Sequence, residues 1–197
     1  MELCIIGLSH RTSPLEFREQ FSIPADQLPA ALAQLKADAG LDEAVLLSTC
    51  NRLELYAVSS NGPVVPAAVF EALAAVKGRV AAPVPFTEVE PRLYVHRHEA
   101  CVRHLFRVAS SLDSLVVGET EIVGQVKKAY QVAQTSGATG KTLNRLFQKA
   151  LSISKEVRTR SGIGRCSTSV GSVALDLAMK IFGEDLTPTH DSHHRRG

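Results

Sequence analysis

The sequence contains no stretch of about eighteen consecutive apolar residues, which is the length that a transmembrane helix needs. Its N-terminus also lacks a basic region followed by a long apolar segment, the pattern of a secretory signal. We therefore expect neither a membrane span nor export, and a cytoplasmic location follows as the default.

Paired cysteines are also missing. The four cysteines, at positions 4, 50, 101 and 166, show no C-x-x-C spacing, and no histidines accompany them at metal-ligand spacing. Zinc sites and disulfide frameworks both depend on such patterns. The sequence therefore predicts reduced thiols and no metal cofactor.

Strong charge and a nucleotide-binding fingerprint are absent as well. The formal net charge of +2 is too small to indicate a polyanion partner. No G-x-G-x-x-G stands between a strand and a helix, since Gly162 and Gly164 lack a preceding strand and a third glycine. Basic residues do cluster locally, a pattern more typical of solvated helix faces: Lys127, Lys128, Lys141, Arg145, Lys149, Lys155, Arg158 and Arg160.

What the sequence does have is enough apolar material for a core, with 45% hydrophobic residues in a chain of 197. Strands are predicted over about residues 3–8, 44–48, 52–58 and 93–95, and helices over 26–39, capped by Asp26, and 66–77. The stretch 81–91 contains prolines and is predicted as loop or edge strand. This order suits an α+β sandwich with helices on one face of an antiparallel sheet.

The second half of the chain shows helical spacing of its apolar residues. Three stripes begin at Val102, Ile122 and Leu143, and a fourth runs from Val170 to Ile181. Residues 187–197, which are rich in histidine, offer nothing apolar to bury, so we expect a disordered tail there.

Cys50 is the residue that points most directly to chemistry. It lies between two apolar runs, in a predicted turn from Thr49 to Asn51, beside Arg52. A partly exposed thiol in a positive field has a larger thiolate fraction and is a better nucleophile. From local sequence alone, the alternative is that Cys50 packs as a small hydrophobic residue.

Residues 48–56, with the sequence Ser-Thr-Cys-Asn-Arg-Leu-Glu-Leu-Tyr, closely resemble the signature of glutamyl-tRNA reductases. Residues 7–19 resemble the amino terminus of that family, and residues 104–119 and 122–129 resemble its central motif. The resemblance keeps the same order from about residue 3 to about residue 183.

This resemblance implies an enzyme with a ferredoxin-like catalytic domain over residues 1–157, followed by a linker helix over 158–186. It also implies a reaction in which Cys50 attacks the aminoacyl ester of glutamyl-tRNA, and NADPH reduces the resulting thioester to glutamate-1-semialdehyde. That is the first step of tetrapyrrole (porphyrin and haem) biosynthesis. A docked glutamate-1-semialdehyde aminomutase is a further partner by family analogy.

The nucleotide-binding and dimerisation domains typical of the family do not follow in this sequence. We therefore expect a monomer that forms the thioester but does not complete the reduction alone, and so acts as an esterase. The rival hypothesis is a non-catalytic module that binds tRNA or serves regulation.

The substrate carries a carboxylate and an ammonium group, which Arg52 and Glu119 would bind respectively. His104 matches a family histidine important for activity and would act as an acid or base. Glu121 stands where the family usually has glutamine. By resemblance the substrate pocket also contains Thr49, Asn51, Ser114, Thr120, Glu121 and Gln125, the last two sharing one helix face.

Several of these residues have a structural alternative. Glu119 and Gln125 also fit a helix N-terminus that favours an acid and a solvated amide. His104 also fits a hydrogen-bonded histidine packed on its helix. His10 and Arg11 follow the first predicted strand, where they could border the site.

Overall fold

A computed structural model describes residues 1–76 and 84–161. Within these ranges the strands are β1 (Glu2–Ser9), β2 (Glu43–Ser48), β3 (Arg52–Ser59) and β4 (Tyr94–Arg97). The α-helices are α1 (Leu15–Glu19), α2 (Leu28–Asp38), α3 (Pro66–Val76), α4 (Phe86–Val89), α5 (Glu99–Ala109), α6 (Glu121–Thr135) and α7 (Lys141–Ser161). A short 3-10 helix, Glu90–Arg92, follows α4.

Several sequence predictions lie outside the described residues. These are the fourth apolar stripe, the linker helix beyond residue 161, Cys166 and the histidine-rich tail. The predicted domain boundary after residue 157 falls within α7.

The four strands form one antiparallel sheet in the order β2-β3-β1-β4. Helices connect β1 to β2 and β3 to β4, while β2 and β3 form a hairpin. This is the β-α-β-β-α-β arrangement of a ferredoxin-like unit, followed by the helices α5 to α7. The predicted α+β fold with an antiparallel sheet is confirmed.

The sheet is covered on both faces, one of them by the helices of the second half, which the predicted sandwich with helices on one face did not include. Every residue of β3 is buried, including Arg52, Glu54 and Tyr56. The Tyr56 ring meets Phe147 of α7 edge-on, with 5.2 Å between ring centroids. The opposite face is covered by α2, which packs on β2 and on α3. The helices of the second half thus bury a row of side chains that local alternation marks as polar.

The helix faces follow the apolar spacing with some corrections. The apolar spacing predicts the buried faces of α2 and α6 correctly, and these consist of Leu28, Ala31, Leu32 and Leu35 in α2 and Ile122, Val126, Ala129, Tyr130 and Ala133 in α6. In α5 the buried face centres on Cys101, Leu105 and Val108, and Val102 is only half-buried. Asp26 does not cap α2, whose N-cap is Gln27 without a side-chain hydrogen bond. The short helices α1 and α4 were not predicted, because four or five residues give too little periodicity to recognise.

Glu43, at the start of β2, caps the N-terminus of α7. Its carboxylate accepts hydrogen bonds from the backbone N–H groups of Gly140 (2.8 Å), Thr142 (3.0 Å) and Leu143 (2.7 Å). A Cβ at Gly140 would lie 2.9 Å from this carboxylate, so a larger residue would have to displace the capping group. One end of α7 is therefore fixed to the edge strand.

None of the helices in the described ranges is both long enough and apolar enough to cross a membrane.

Candidate active site

Cys50 lies exposed in the turn between β2 and β3, as the sequence predicts. Thr49 shapes this turn, because its hydroxyl oxygen accepts the backbone N–H groups of Asn51 (3.2 Å) and Arg52 (3.1 Å). Local side-chain bonds of this kind stabilise turns. Thr49 therefore stabilises the turn that exposes the Cys50 thiol to solvent.

Two elements distant in sequence hold the turn in place. The buried Arg18 of α1 donates from Nη2 to the Cys50 carbonyl oxygen at 3.1 Å, and also bonds the Ser13 carbonyl. His10, just after β1, donates its backbone N–H to the Asn51 carbonyl at 2.9 Å. The exposed thiol thus sits on a backbone anchored from two sides.

Arg52 is buried, with only 1% of its side chain exposed. Its Nη1 donates to Glu54 Oε1 at 2.7 Å, and its Nη2 donates to the Asp113 carbonyl oxygen at 2.6 Å. Burial alone would lower the pKa of Arg52, but the charge of Glu54 raises it. The sequence predicts a guanidinium that binds a substrate carboxylate, whereas both Nη groups of Arg52 bond within the protein.

Glu54 is the centre of a buried polar network. Besides Arg52, its carboxylate accepts hydrogen bonds from the hydroxyls of Tyr56 (2.7 Å) and Tyr94 (2.6 Å) and meets His104 Nε2 at 2.9 Å. Burial would raise the pKa of Glu54, but the hydrogen bond from His104 and the charge of Arg52 lower it to about 2. The network therefore holds an ionised carboxylate inside the fold.

The structure places His104 in this network. Its side chain is 13% exposed, and its ring packs against the rings of Tyr94 and His96 at centroid distances of 5.3 and 5.1 Å. With Nε2 directed at Glu54, the ring has the contacts of a hydrogen-bonded structural histidine, the alternative that the sequence leaves open.

The segment between α5 and α6, hereafter the 111–119 loop, carries two more predicted residues. Glu119 accepts hydrogen bonds from the Ser114 hydroxyl (3.0 Å) and from the backbone N–H groups of Glu121 (2.6 Å) and Ile122 (3.1 Å). These bonds cap the N-terminus of α6. Glu119 thus also has the structural role that the sequence left open, with Ser114 beside it.

The remaining predicted residues lie on and beside α6. Thr120 is exposed, and Gln125 donates to Glu121 Oε1 at 3.1 Å, so this pair shares a face as expected. Gln125 also borders a shallow cavity of about 230 Å³, together with Ser48 from the end of β2 and Lys128. This cavity adjoins the strand end that leads into the Cys50 turn.

Sequence reasoning missed the partners of these residues. Glu54 is two positions from Arg52 on one strand face, which is a signal that could have indicated their pairing. Asp113 lies inside the segment 104–119 that carries the resemblance. The roles of Arg18 and Tyr94 have no local signal, because their partners are 32 and 40 positions away.

The described residues do not fit a dinucleotide cofactor or a metal ion. The sheet is antiparallel throughout, whereas the dinucleotide-binding fingerprint belongs to a parallel β-α-β unit with a glycine-rich turn. Within residues 1–76 and 84–161, no group of three or more metal-ligating side chains converges.

Comparison with known proteins identifies a matching family. The family described as "Glutamyl-tRNAGlu reductase, N-terminal domain" matches residues 6–161. A glutamyl-tRNA reductase from Nitratidesulfovibrio vulgaris is 45% identical over 183 residues, which cover 93% of this chain and 40% of the relative. One from Akkermansia muciniphila is 44% identical over 186 residues, covering 93% of this chain and 52% of the relative.

A solved structure agrees with the sequence relatives. The glutamyl-tRNA reductase from Methanopyrus kandleri is similar with a TM-score of 0.67 and 32% identity, covering 90% of this chain and 39% of that one. The chain thus spans about two fifths to one half of the length of these proteins.

Proposed function

The chain belongs to the glutamyl-tRNA reductase family, and on that premise we propose that Cys50 is the nucleophile that takes the glutamyl group from glutamyl-tRNA. The observation that carries the proposal is the exposed thiol on an anchored turn. Cys4 and Cys101 are buried instead, and burial raises the pKa of both thiols, that of Cys4 to about 12. Of the three described cysteines, Cys50 is the one that a tRNA-linked ester can reach.

The proposed step is a transfer of the acyl group. The Cys50 thiolate attacks the ester carbonyl, a C–S bond forms, and the C–O bond to the tRNA ribose breaks. The ribose oxygen takes up one proton, which balances the proton that the thiol released. The product is a thioester, which is more reactive toward a further nucleophile than the ester was.

Recognition of the glutamyl group is assigned to the 111–119 loop and to α6. Ser114 and Glu119 are half-buried and adjacent, and Glu119 offers a carboxylate to the substrate ammonium. We propose that Arg52 acts through Asp113, whose carbonyl it holds, and so positions this loop. Direct binding of the substrate carboxylate by Arg52 would require that contact to open. Asn51, Thr120, Glu121 and Gln125 stay candidate contacts.

We also propose that His104 is a positioning residue, not the acid or base of the acyl transfer. The support is its bond to Glu54, the same carboxylate that orients Arg52. Through that carboxylate, His104 helps to keep Arg52 directed at the 111–119 loop.

The reduction step is not assigned to the described residues. NADPH is the hydride donor that the family resemblance implies, but the antiparallel sheet offers no dinucleotide site of the usual kind. Acyl transfer followed by hydrolysis of the thioester is the activity expected of these residues. An aminomutase partner, a monomeric state and a cytoplasmic location remain predictions.

The test is release of glutamate from glutamyl-tRNA without NADPH. We expect the wild-type chain to accelerate this deacylation, because water hydrolyses the thioester. Cys50→Ser should lose most of the acceleration, whereas Cys101→Ser, which changes a buried thiol, should keep it. Equal acceleration by wild type and Cys50→Ser would contradict the nucleophile assignment, and no acceleration by the wild type would favour a tRNA-binding module.

A further inference from the structure

Arg158 connects α7 to both ends of the 111–119 loop. Its Nη2 donates to the Ser111 hydroxyl oxygen at 2.7 Å and to the Glu119 carbonyl oxygen at 2.6 Å. Ser111 and Glu119 also bond each other, through the Ser111 hydroxyl and the Glu119 carbonyl at 2.5 Å. One guanidinium group therefore closes the base of the loop.

The backbone at this closure is strained. Ser111 has φ = 60°, in the left-handed region of the backbone that residues other than glycine rarely adopt. The residue is completely buried, and its carbonyl accepts the N–H of Gly118 at 3.1 Å. Such a conformation persists only where the surroundings impose it. The hydrogen bond from Arg158 contributes to this, together with the bonds of Ser111 to Val108, Gly118 and Glu119.

The middle of the loop is held by two other arginines. Asp113 bonds Arg52 Nη2, and it pairs with Arg11 Nη2 at 3.3 Å. Arginines from β3, from the segment after β1, and from α7 thus converge on one loop. Arg158 is the one that acts at its base, next to the Glu119 side chain that caps α6.

We propose that Arg158 is a positioning residue for the glutamyl-recognition site, because it holds the base of the 111–119 loop closed. Arg158 sets the distance between Ser111 and Glu119. This distance in turn determines where Ser114 and the Glu119 carboxylate lie. The part concerning recognition rests on the function proposed above. The closure itself follows from the contacts alone.

Hydrogen–deuterium exchange of the 111–119 amides tests the closure without any substrate. In Arg158→Gln the amide of Gly118, which bonds the Ser111 carbonyl, should exchange at least about 10-fold faster, since charge-assisted hydrogen bonds are lost. Arg160→Gln is the matched control, because Arg160 lies on the same helix, is 80% exposed and pairs with Glu156. It should leave the loop unchanged. Unchanged exchange in Arg158→Gln would overturn the proposal.

Deacylation kinetics test the link to recognition. Arg158→Gln should raise KM for glutamyl-tRNA by about 10-fold or more while the rate of Cys50 alkylation by iodoacetamide stays at the wild-type value. Arg158→Lys should restore part of the KM, because an ammonium can donate to the same oxygens. A normal KM together with a mobile loop would overturn the recognition role.

Two further experiments distinguish failure of the loop closure from failure of the proposed function. If Arg158→Gln does not fold, Ser111→Ala removes one acceptor and should give the same loop exchange in weaker form; wild-type exchange there would contradict the closure. If the wild-type chain shows no deacylation, the proposed function fails, and the exchange experiment still decides whether Arg158 closes the loop.

Discussion

At the scale of single residues, Glu54 shows how a charge is kept inside this fold. Its two carboxylate oxygens meet Arg52, Tyr56, Tyr94 and His104 at 2.6 to 2.9 Å. A buried carboxylate with such partners is stable as an ion, and removing it takes away the shorter of the two ion pairs that Arg52 makes. Because Arg52 reaches on to Asp113, the same ion influences the 111–119 loop.

Glu54→Gln should destabilise the fold by about 3 kcal/mol, because the buried Arg52 guanidinium then keeps only the longer ion pair with Asp113 Oδ2, at 3.3 Å. Urea unfolding at neutral pH measures this free energy. Tyr56→Phe is the control, since it removes one hydrogen bond to the same carboxylate and should cost only about 1 kcal/mol. Equal losses in the two variants would contradict a charge-based role.

The pH dependence of stability should report the same residue. The pKa of Glu54 is lowered from 4.5 to about 2 in the folded chain, so between these values the unfolded chain binds more protons. Stability present above pH 4.5 should therefore decline as the pH falls toward 2. Glu54→Gln lacks this contribution and should show a shallower decline in urea unfolding between pH 4.5 and 3. Identical slopes would count against an ionised Glu54.

Burial lowers the pKa of His10 and His96, which adds a separate loss of stability as the pH falls below about 6.5. The part due to His10 should appear equally in wild type and Glu54→Gln, whereas the part due to His96 should be larger in Glu54→Gln, because the charge of Glu54 raises the pKa of His96.

At the scale of elements, the site depends on a row of residues across three strands. Tyr94 of β4, Gly7 of β1 and Glu54 of β3 are register partners. The Tyr94 ring lies over Gly7, and its hydroxyl reaches Glu54. A side chain at position 7 of β1 would stand between Tyr94 of β4 and Glu54 of β3. Glycine at this position therefore permits the hydrogen bond between them.

Gly7→Ala should therefore destabilise the chain by about 1 to 3 kcal/mol, because the new Cβ would lie 2.8 Å from the Tyr94 ring and displace its hydroxyl. Gly124→Ala is the matched control. It lies within α6 with no atom within 4 Å of the added Cβ, and should stabilise by up to about 1 kcal/mol. Thermal unfolding of both variants decides this, and equal shifts in the same direction would be inconsistent with the packing described.

At the scale of the whole molecule, the sequence predicts the features that depend on local patterns and not those that depend on contacts between residues far apart in the chain. The β2–β3 hairpin, the Cys50 turn and the inward faces of α2 and α6 follow from short-range periodicity, and all are as predicted. The second face of the sheet depends on α5 to α7, far along the chain, so no local pattern indicates its burial. For the same reason Arg52 was predicted beside the thiol and free, whereas its partner Asp113 is 61 positions away.

The most direct measurement is intact-mass spectrometry after brief mixing with glutamyl-tRNA in the absence of NADPH, with peptide mapping of any adduct. We expect one added glutamyl group on the wild type and on Cys101→Ser, mapped to Cys50, and none on Cys50→Ser. An adduct of equal yield on Cys50→Ser would contradict the assignment of Cys50 as the nucleophile. The assignment would also be contradicted if the wild type formed no adduct and released glutamate no faster than glutamyl-tRNA does without protein.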